Sequence, residues 1–204
     1  SLACLAAMAY PDIHVTGADI SPDALAVARI NVEKHQLQER ITLVHSDGLA
    51  QTPGPWDLIL CNPPYVNAQS MAALPQEYRA EPALALAGGA DGMDFVRRLL
   101  QDAPTHMSQD AVLVLEIGNE RAHFEAAFPQ LPVFWLPTSA GEDQVLASRI
   151  GGQALRGAHP GEFGGRTEPA DLRLHRLKPD LTVEFTLRGR QQGPVTRIDA
   201  VFDA

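Results

Sequence analysis

The chain has 204 residues, of which 45% are apolar, and it carries a formal net charge of −9. This size and composition allow one α/β domain with a substantial core. No apolar run reaches the roughly 18 residues of a membrane-spanning helix, so no membrane partner is expected. The two cysteines, Cys4 and Cys61, have no metal-ligand spacing and favour a reducing, cytoplasmic compartment. The acidic charge disfavours stable nucleic-acid binding through phosphates.

Charge and composition both change near residue 156. Residues 1–156 contain 9 Lys and Arg against 18 Asp and Glu, whereas residues 157–204 contain 7 of each group. Residues 151–172 are rich in Gly and Pro and lack periodicity, as a linker does. The sequence therefore predicts one domain over 1–156, followed by a linker and tail of unknown function over 157–204.

Helix and strand patterns alternate along the first 156 residues. The predicted helices cover 2–9, 21–37, 92–103 and 121–128, and the predicted strands cover 13–19, 40–47, 56–62, 111–118, 133–137 and 143–150. This alternation predicts an α/β fold, with a parallel sheet and helices on both of its faces. Ligands of such sheets bind at the carboxyl ends of the strands.

Acidic residues follow three of the predicted strands. Asp19 ends its strand before a helix with Ser21 as N-cap, and such a carboxylate either accepts from both hydroxyls of a ribose or merely caps the strand end. Asp47, before Gly48, either contacts an adenine amine or starts a turn. Glu116 is equally compatible with a buried structural acid and with a catalytic group. Position alone does not decide between these roles.

The segment LCNPPYVNAQ, residues 60–69, ends an apolar strand with two prolines. Consecutive prolines stop a strand, remove two backbone donors and restrict two φ angles. The pattern is either a simple Pro-Pro turn or a rigid loop that presents Asn62 at the edge of the sheet.

Asn62-Pro63-Pro64-Tyr65 after a strand of such a sheet resembles the class I S-adenosylmethionine-dependent methyltransferases that act on planar amine nitrogens. Residues 62–100 are similar, nearly continuously, to the N5-glutamine protein methyltransferases. The segment LPQEYRAEPALALAGGADG resembles the branch that acts on ribosomal protein uL3, a sibling of the release-factor branch. The resemblance covers about residues 1–150 and includes ADISPDALAVARINV and LEIGNE.

The resemblance implies a Rossmann-like class I methyltransferase that uses S-adenosylmethionine and methylates a glutamine of a ribosomal protein. The implied cofactor-binding residues are Asp19, Ile20, Asp47, Gly48 and Asn62.

The implied catalytic residues are Asn62, Pro63, Pro64 and Tyr65, which also bind the substrate. Glu77 and Arg79 are implied as further substrate-binding residues, although surface charge explains them equally well. No metal site is predicted, because the seven histidines show no ligand spacing.

The chemistry of an amide explains why such a motif is needed. An amide nitrogen is a poor nucleophile because its lone pair is delocalised into the carbonyl. Two acceptors at fixed positions can bind both N–H groups and orient the nitrogen. The side-chain oxygen of Asn62 and the backbone carbonyl of Pro63 are the predicted acceptors, and Tyr65 is predicted to pack on the flat amide.

The sequence departs from the family in two places. The family's first strand and glycine-rich turn precede the position at which this chain starts, at Ser1. A truncated sheet with a gap beside its first strand, and weak cofactor binding, are therefore expected. Residues from about 157 onward match nothing in the family. LTVEFTLRG and VTRIDAVFD are predicted to be two strands of a hairpin.

Three alternatives remain open at the level of sequence. The release-factor branch carries the same chemistry. A nucleic-acid adenine N6-methyltransferase can hold an exocyclic amine with the same motif, although it requires a basic face. A non-catalytic remnant agrees with the missing glycine-rich turn.

Overall fold

A computed structural model describes residues 2–73, 82–139, 141–150, 172–174, 185–187 and 197–201. The helices are α1 (Leu2–Ala9), α2 (Pro22–Lys34), α3 (Ala68–Ala72), α4 (Ala83–Leu86), α5 (Asp94–His106) and α6 (Arg121–Ala127). The strands are β1 (His14–Asp19), β2 (Ile41–His45), β3 (Trp56–Cys61), β4 (Met107–Glu116), β5 (Phe134–Leu136), β6 (Val145–Arg149), β7 (Leu172–Leu174), β8 (Phe185–Leu187) and β9 (Arg197–Val201). None of the helices in these ranges is long and apolar enough to cross a membrane.

Seven strands form one mixed sheet in the order β2-β1-β9-β3-β4-β6-β5. The five strands from β2 to β4 run parallel, which confirms the predicted Rossmann-like α/β fold. The expectation of a purely parallel sheet is wrong at the other end, where β6 runs antiparallel to both β4 and β5. Only residues 137–144 connect β5 to β6, too few for the helical crossover that a parallel pair requires.

Strand β9 lies in the centre of the sheet, between β1 and β3. Val201 is the register partner of Ala18 on one side and of Cys61 on the other. The expected gap beside β1 is therefore absent, because β9 pairs with the backbone groups that β1 and β3 would otherwise leave without partners. The predicted domain boundary near residue 156 lies outside the described residues.

The predicted C-terminal hairpin is not formed. Strand β8 pairs antiparallel with β7 in a separate two-stranded sheet, whereas β9 joins the main sheet. The two strand patterns were correctly located, but strand patterns carry no information about partners that are distant in the chain.

The core consists of two apolar layers, one on each side of the sheet. Along β4, Ala111, Leu113 and Leu115 contact one layer, and Val112 and Val114 contact the other. This alternation follows from the two-residue period of a strand. Helices α5 and α6 contribute to the first layer and α1 and α2 to the second, which confirms helices on both faces.

The start of α2 follows the predicted capping pattern. The Ser21 hydroxyl oxygen accepts from the Ala24 N–H at 3.2 Å, and Pro22 occupies the first helical position. The helix ends at Lys34, earlier than predicted, and Gln36 takes a left-handed φ of 56°. The Ser21 cap at the start of α2 fixes where the chain turns after β1, next to Asp19.

Candidate active site

The register of the sheet places the predicted site residues at one edge. Ala18, Val201, Cys61 and Leu115 form a row of register partners across four parallel strands. One residue further along three of these strands, the chain therefore reaches the same edge of the sheet, at Asp19, Asn62 and Glu116. Adjacent strands are about 4.8 Å apart, so the backbones of Asp19 and Asn62, two strands apart, are separated by about 10 Å.

The end of β1 is held by three hydrogen bonds. The Ser21 N–H donates to Asp19 Oδ1 at 2.7 Å, and the Ser46 N–H donates to the Asp19 carbonyl at 3.0 Å. His45 Nε2 lies 2.9 Å from the Ile20 carbonyl oxygen, and the Ile20 side chain is 40% exposed. The half-buried Asp19 carboxylate thus has a fixed position at the sheet edge.

Asp47 lies beside helix α5. Its Oδ2 accepts from Arg98 Nη1 at 2.9 Å, and Arg98 also lies over the Phe95 ring, 5.4 Å from its centroid. Gly48 takes the left-handed φ of 59° that the following turn needs. A ligand amine at Asp47 would therefore share the carboxylate with Arg98.

The two arginines of α5, Arg97 and Arg98, form ion pairs with acidic residues. Arg98 pairs with Asp47, and Arg97 pairs with Asp91 and, at 3.2 Å, with Asp94. The hydrogen bond from Arg97 lowers the pKa of Asp91 to about 2. These pairs attach α5 to the loops that precede it.

The residues at the end of β3 and in the motif after it differ in burial. Cys61 is buried, and loss of solvent around its thiol raises its pKa well above the usual value. Pro63 is buried, whereas Asn62 and Pro64 are half-buried. No hydrogen bond of the half-buried Asn62 side chain is found among the described residues.

Tyr65 packs against two glycine-containing loops. A Cβ built at Gly118 would lie 2.5 Å from Tyr65 Cε2, and one built at Gly92 would collide with the Tyr65 carbonyl oxygen. Both glycines have positive φ values, 52° and 81°. The loops after β4 and before α5 can approach Tyr65 this closely because these positions have no side chain.

A buried polar contact connects the same loops. Asn67 Nδ2 donates to both carboxylate oxygens of Glu120, at 2.8 and 3.0 Å, and each residue is 8% exposed. His123 Nδ1 lies 2.5 Å from Glu120 Oε2. The sequence analysis missed this contact, since Asn67 and Glu120 are 53 residues apart. Their only sequence signal was their place in the NPPYVN and LEIGNE segments.

The remaining predicted residues fall into two groups. Glu116 ends β4 half-buried, at the same sheet edge as Asn62. Glu77 and Arg79 lie outside the described residues, so their substrate-binding roles stay predictions.

Comparison with known proteins agrees with this geometry. The family described as methyltransferase small domain matches residues 1–89. The ribosomal protein uL3 glutamine methyltransferase of Bordetella pertussis is 59% identical over 146 residues, covering 71% of this chain and 49% of that protein. The corresponding protein of Burkholderia pseudomallei is 55% identical over 153 residues, covering 71% of this chain and 50% of that protein. The chain is similar to methyltransferases over 71% of its length. It is homologous to the uL3 glutamine methyltransferases, and it spans about half the length of these curated relatives.

Solved structures support the fold of this chain. The hMettl16 catalytic domain in complex with MAT2A 3'UTR hairpin 6 is 17% identical, with a TM-score of 0.54, covering 73% of this chain and 61% of that one. A methyltransferase from Pyrococcus furiosus is 19% identical, with a TM-score of 0.52, covering 72% and 68%. At this identity the likeness concerns the fold alone. Family and fold together imply use of S-adenosylmethionine.

Proposed function

We propose that the chain transfers a methyl group from S-adenosylmethionine to the side-chain amide nitrogen of a glutamine in ribosomal protein uL3. The observation that carries this proposal is the 59% identity to a uL3 glutamine methyltransferase. The position of Asn62, at the same sheet edge as Asp19, supports it further.

The residues at the sheet edge fit the cofactor. Asp19 would hold the ribose, because its carboxylate is fixed by Ser21 at the end of β1. Ile20 offers an exposed apolar side chain beside it, and Asp47 with Gly48 would face the adenine. When bound, S-adenosylmethionine supplies an electrophilic methyl group on a positively charged sulfur.

The protein residues act by orienting the acceptor amide. The Asn62 side-chain oxygen and the Pro63 carbonyl would accept the two N–H groups of the substrate glutamine. The glutamine nitrogen then presents its lone pair toward the methyl group, and no strong base is needed to position it. The burial of Pro63 and the packing of Tyr65 on Gly118 keep this loop rigid.

The charge of the domain fits a basic protein substrate. Residues 1–156 carry an excess of nine acidic groups, 18 against 9. The electrostatic field of this negative charge speeds the encounter with a basic partner more than it strengthens the final complex. The same field repels nucleic-acid phosphates.

Replacing Asp19 by alanine is expected to weaken binding of S-adenosylhomocysteine by about 10- to 100-fold, because the ribose hydroxyls lose a charged acceptor. Isothermal titration calorimetry on a full-length version of the protein measures this. Asp23→Ala, an exposed acid in the first turn of α2, is the matched control and should bind as the unmodified chain does. Equal affinity for Asp19→Ala and Asp23→Ala would remove Asp19 from the cofactor site.

The substrate is tested by competition among three acceptors. The chain and methyl-labelled cofactor are incubated with unmodified uL3, with a release factor and with duplex DNA. Label is expected in uL3, at a glutamine, and a Gln→Asn variant of that residue in uL3 should remain unlabelled. Label mainly in the release factor would support glutamine methylation but would assign the protein to the release-factor branch. Label mainly in DNA would refute a protein substrate.

A further inference from the structure

Three loops meet around Tyr65 at the edge of the sheet. They are Asn62–Asn67 after β3, Gly88–Gly92 before α5 and Ile117–Glu120 after β4, here called the three-loop junction. The first two are joined by a backbone hydrogen bond from the Gly88 N–H to the Val66 carbonyl at 2.9 Å, and the Val66 N–H also donates to the Leu86 carbonyl of α4 at 2.8 Å. The first and third are joined by the Asn67–Glu120 pair.

Asn67 has two roles in this junction. Its Oδ1 accepts from the Ser70 N–H at 2.9 Å and so caps α3, while its Nδ2 donates to Glu120. The first role is local, because it serves the helix that follows. The second ties the far end of the Asn62–Asn67 loop to the loop that follows β4.

Glu120 is suited to hold this loop. A carboxylate that is 8% exposed is costly to bury without partners, so its bonds to Asn67 strongly favour one arrangement. Its Cγ would lie 3.5 Å from a Cβ at Gly92, so it also packs against the second loop. The loop is thus fixed at Cys61 by the sheet and at Asn67 by Glu120, with two rigid prolines between these points.

We propose that Glu120 is a positioning residue of the transfer reaction, which holds the Asn62–Asn67 loop through Asn67 and thereby orients the Asn62 amide toward the acceptor glutamine. This inference rests on the proposed function. It adds a residue that acts through Asn67 and not through contact with the substrate, and its carboxylate also contacts His123.

A swap of hydrogen-bond polarity tests this role. Asn67→Asp places a carboxylate against Glu120, yet it keeps an oxygen to cap α3. In the double variant of Glu120→Gln and Asn67→Asp, the new amide at position 120 would donate to the new carboxylate at position 67. One donor again faces one acceptor, and the direction of the hydrogen bond is reversed. Asn67→Asp alone is expected to lower kcat at least about tenfold, with KM for the cofactor unchanged, and the double variant is expected to recover to within about threefold of the unmodified chain.

A spectroscopic readout separates this role from the proposed function. The chain has three tyrosines, so fluorotyrosine labelling gives three fluorine resonances, and Tyr65→Phe identifies that of Tyr65. Asn67→Asp should move the Tyr65 resonance toward its position in urea, and the double variant should return it.

The outcomes are distinct. Recovery of both kcat and the Tyr65 resonance in the double variant supports the proposal. The proposal would be overturned if the double variant recovered the Tyr65 resonance but not kcat. It would also be overturned if Asn67→Asp did not lower kcat. If the unmodified chain methylates no glutamine, the proposed function fails, while an unmoved Tyr65 resonance in Asn67→Asp would by itself refute positioning by Glu120.

Discussion

Asn62→Ala is expected to lower the rate of methyl transfer at least about 100-fold, the cost of removing one well-placed hydrogen-bonding group from a preorganised site. The amide of Asn62 is proposed to accept one of the two N–H groups of the acceptor glutamine. Without it, the nitrogen is held at a single point and rotates away from the methyl donor. Initial rates of label transfer to uL3, with cofactor affinity measured by calorimetry, would show the effect. The cofactor affinity should stay within about threefold, because Asn62 mainly orients the acceptor.

Asn31→Ala is the matched control for this experiment. Asn31 lies on α2, outside the three-loop junction, and its Nδ2 donates to the Val27 carbonyl at 3.1 Å. The same chemical change there should leave methyl transfer unaltered. Near-normal turnover by Asn62→Ala, or equal losses in both variants, would refute the proposed orientation of the acceptor.

Asp199→Pro is expected to destabilise the domain by about 3 kcal/mol or more. The backbone of Asp199 lies in the middle of β9, with Thr16 of β1 and Ile59 of β3 as its register partners. Proline removes an N–H from this ladder, and its ring is poorly accommodated in a strand that is paired on both sides. A loss of this size is a large part of the 5–15 kcal/mol that usually stabilises a domain.

Guanidinium denaturation followed by tryptophan fluorescence measures this loss. Trp56 is 5% exposed at the start of β3, next to β9 in the sheet, so its emission reports on the centre of the domain. Arg173→Pro is the matched control, because β7 pairs only with β8 in the two-stranded sheet. An Asp199→Pro variant as stable as Arg173→Pro would show that β9 does not contribute to the central sheet.

Contacts between distant segments explain most of what sequence analysis missed. Arg98 reaches Asp47 across 51 residues, and Asn67 reaches Glu120 across 53. Each partner alone looks like an ordinary surface or loop residue. Only the fold brings the members of each pair to the same sheet edge.

The sequence by itself determined the local structure and the family. The periodicity and the Ser21-Pro22 cap predicted α1, α2, α5, α6 and the first six strands, because these signals depend on neighbouring residues. The motif Asn62-Pro63-Pro64-Tyr65 and the similarity of residues 62–100 together predicted the resemblance to glutamine methyltransferases, which the relatives confirmed. Tertiary structure alone decided that β6 pairs with β4 as well as with β5, that β9 fills the centre of the sheet and that Glu120 faces Asn67. Strand pairing and buried hydrogen bonds depend on which segments meet in space, and a strand or a carboxylate carries no mark of its partner in its own sequence.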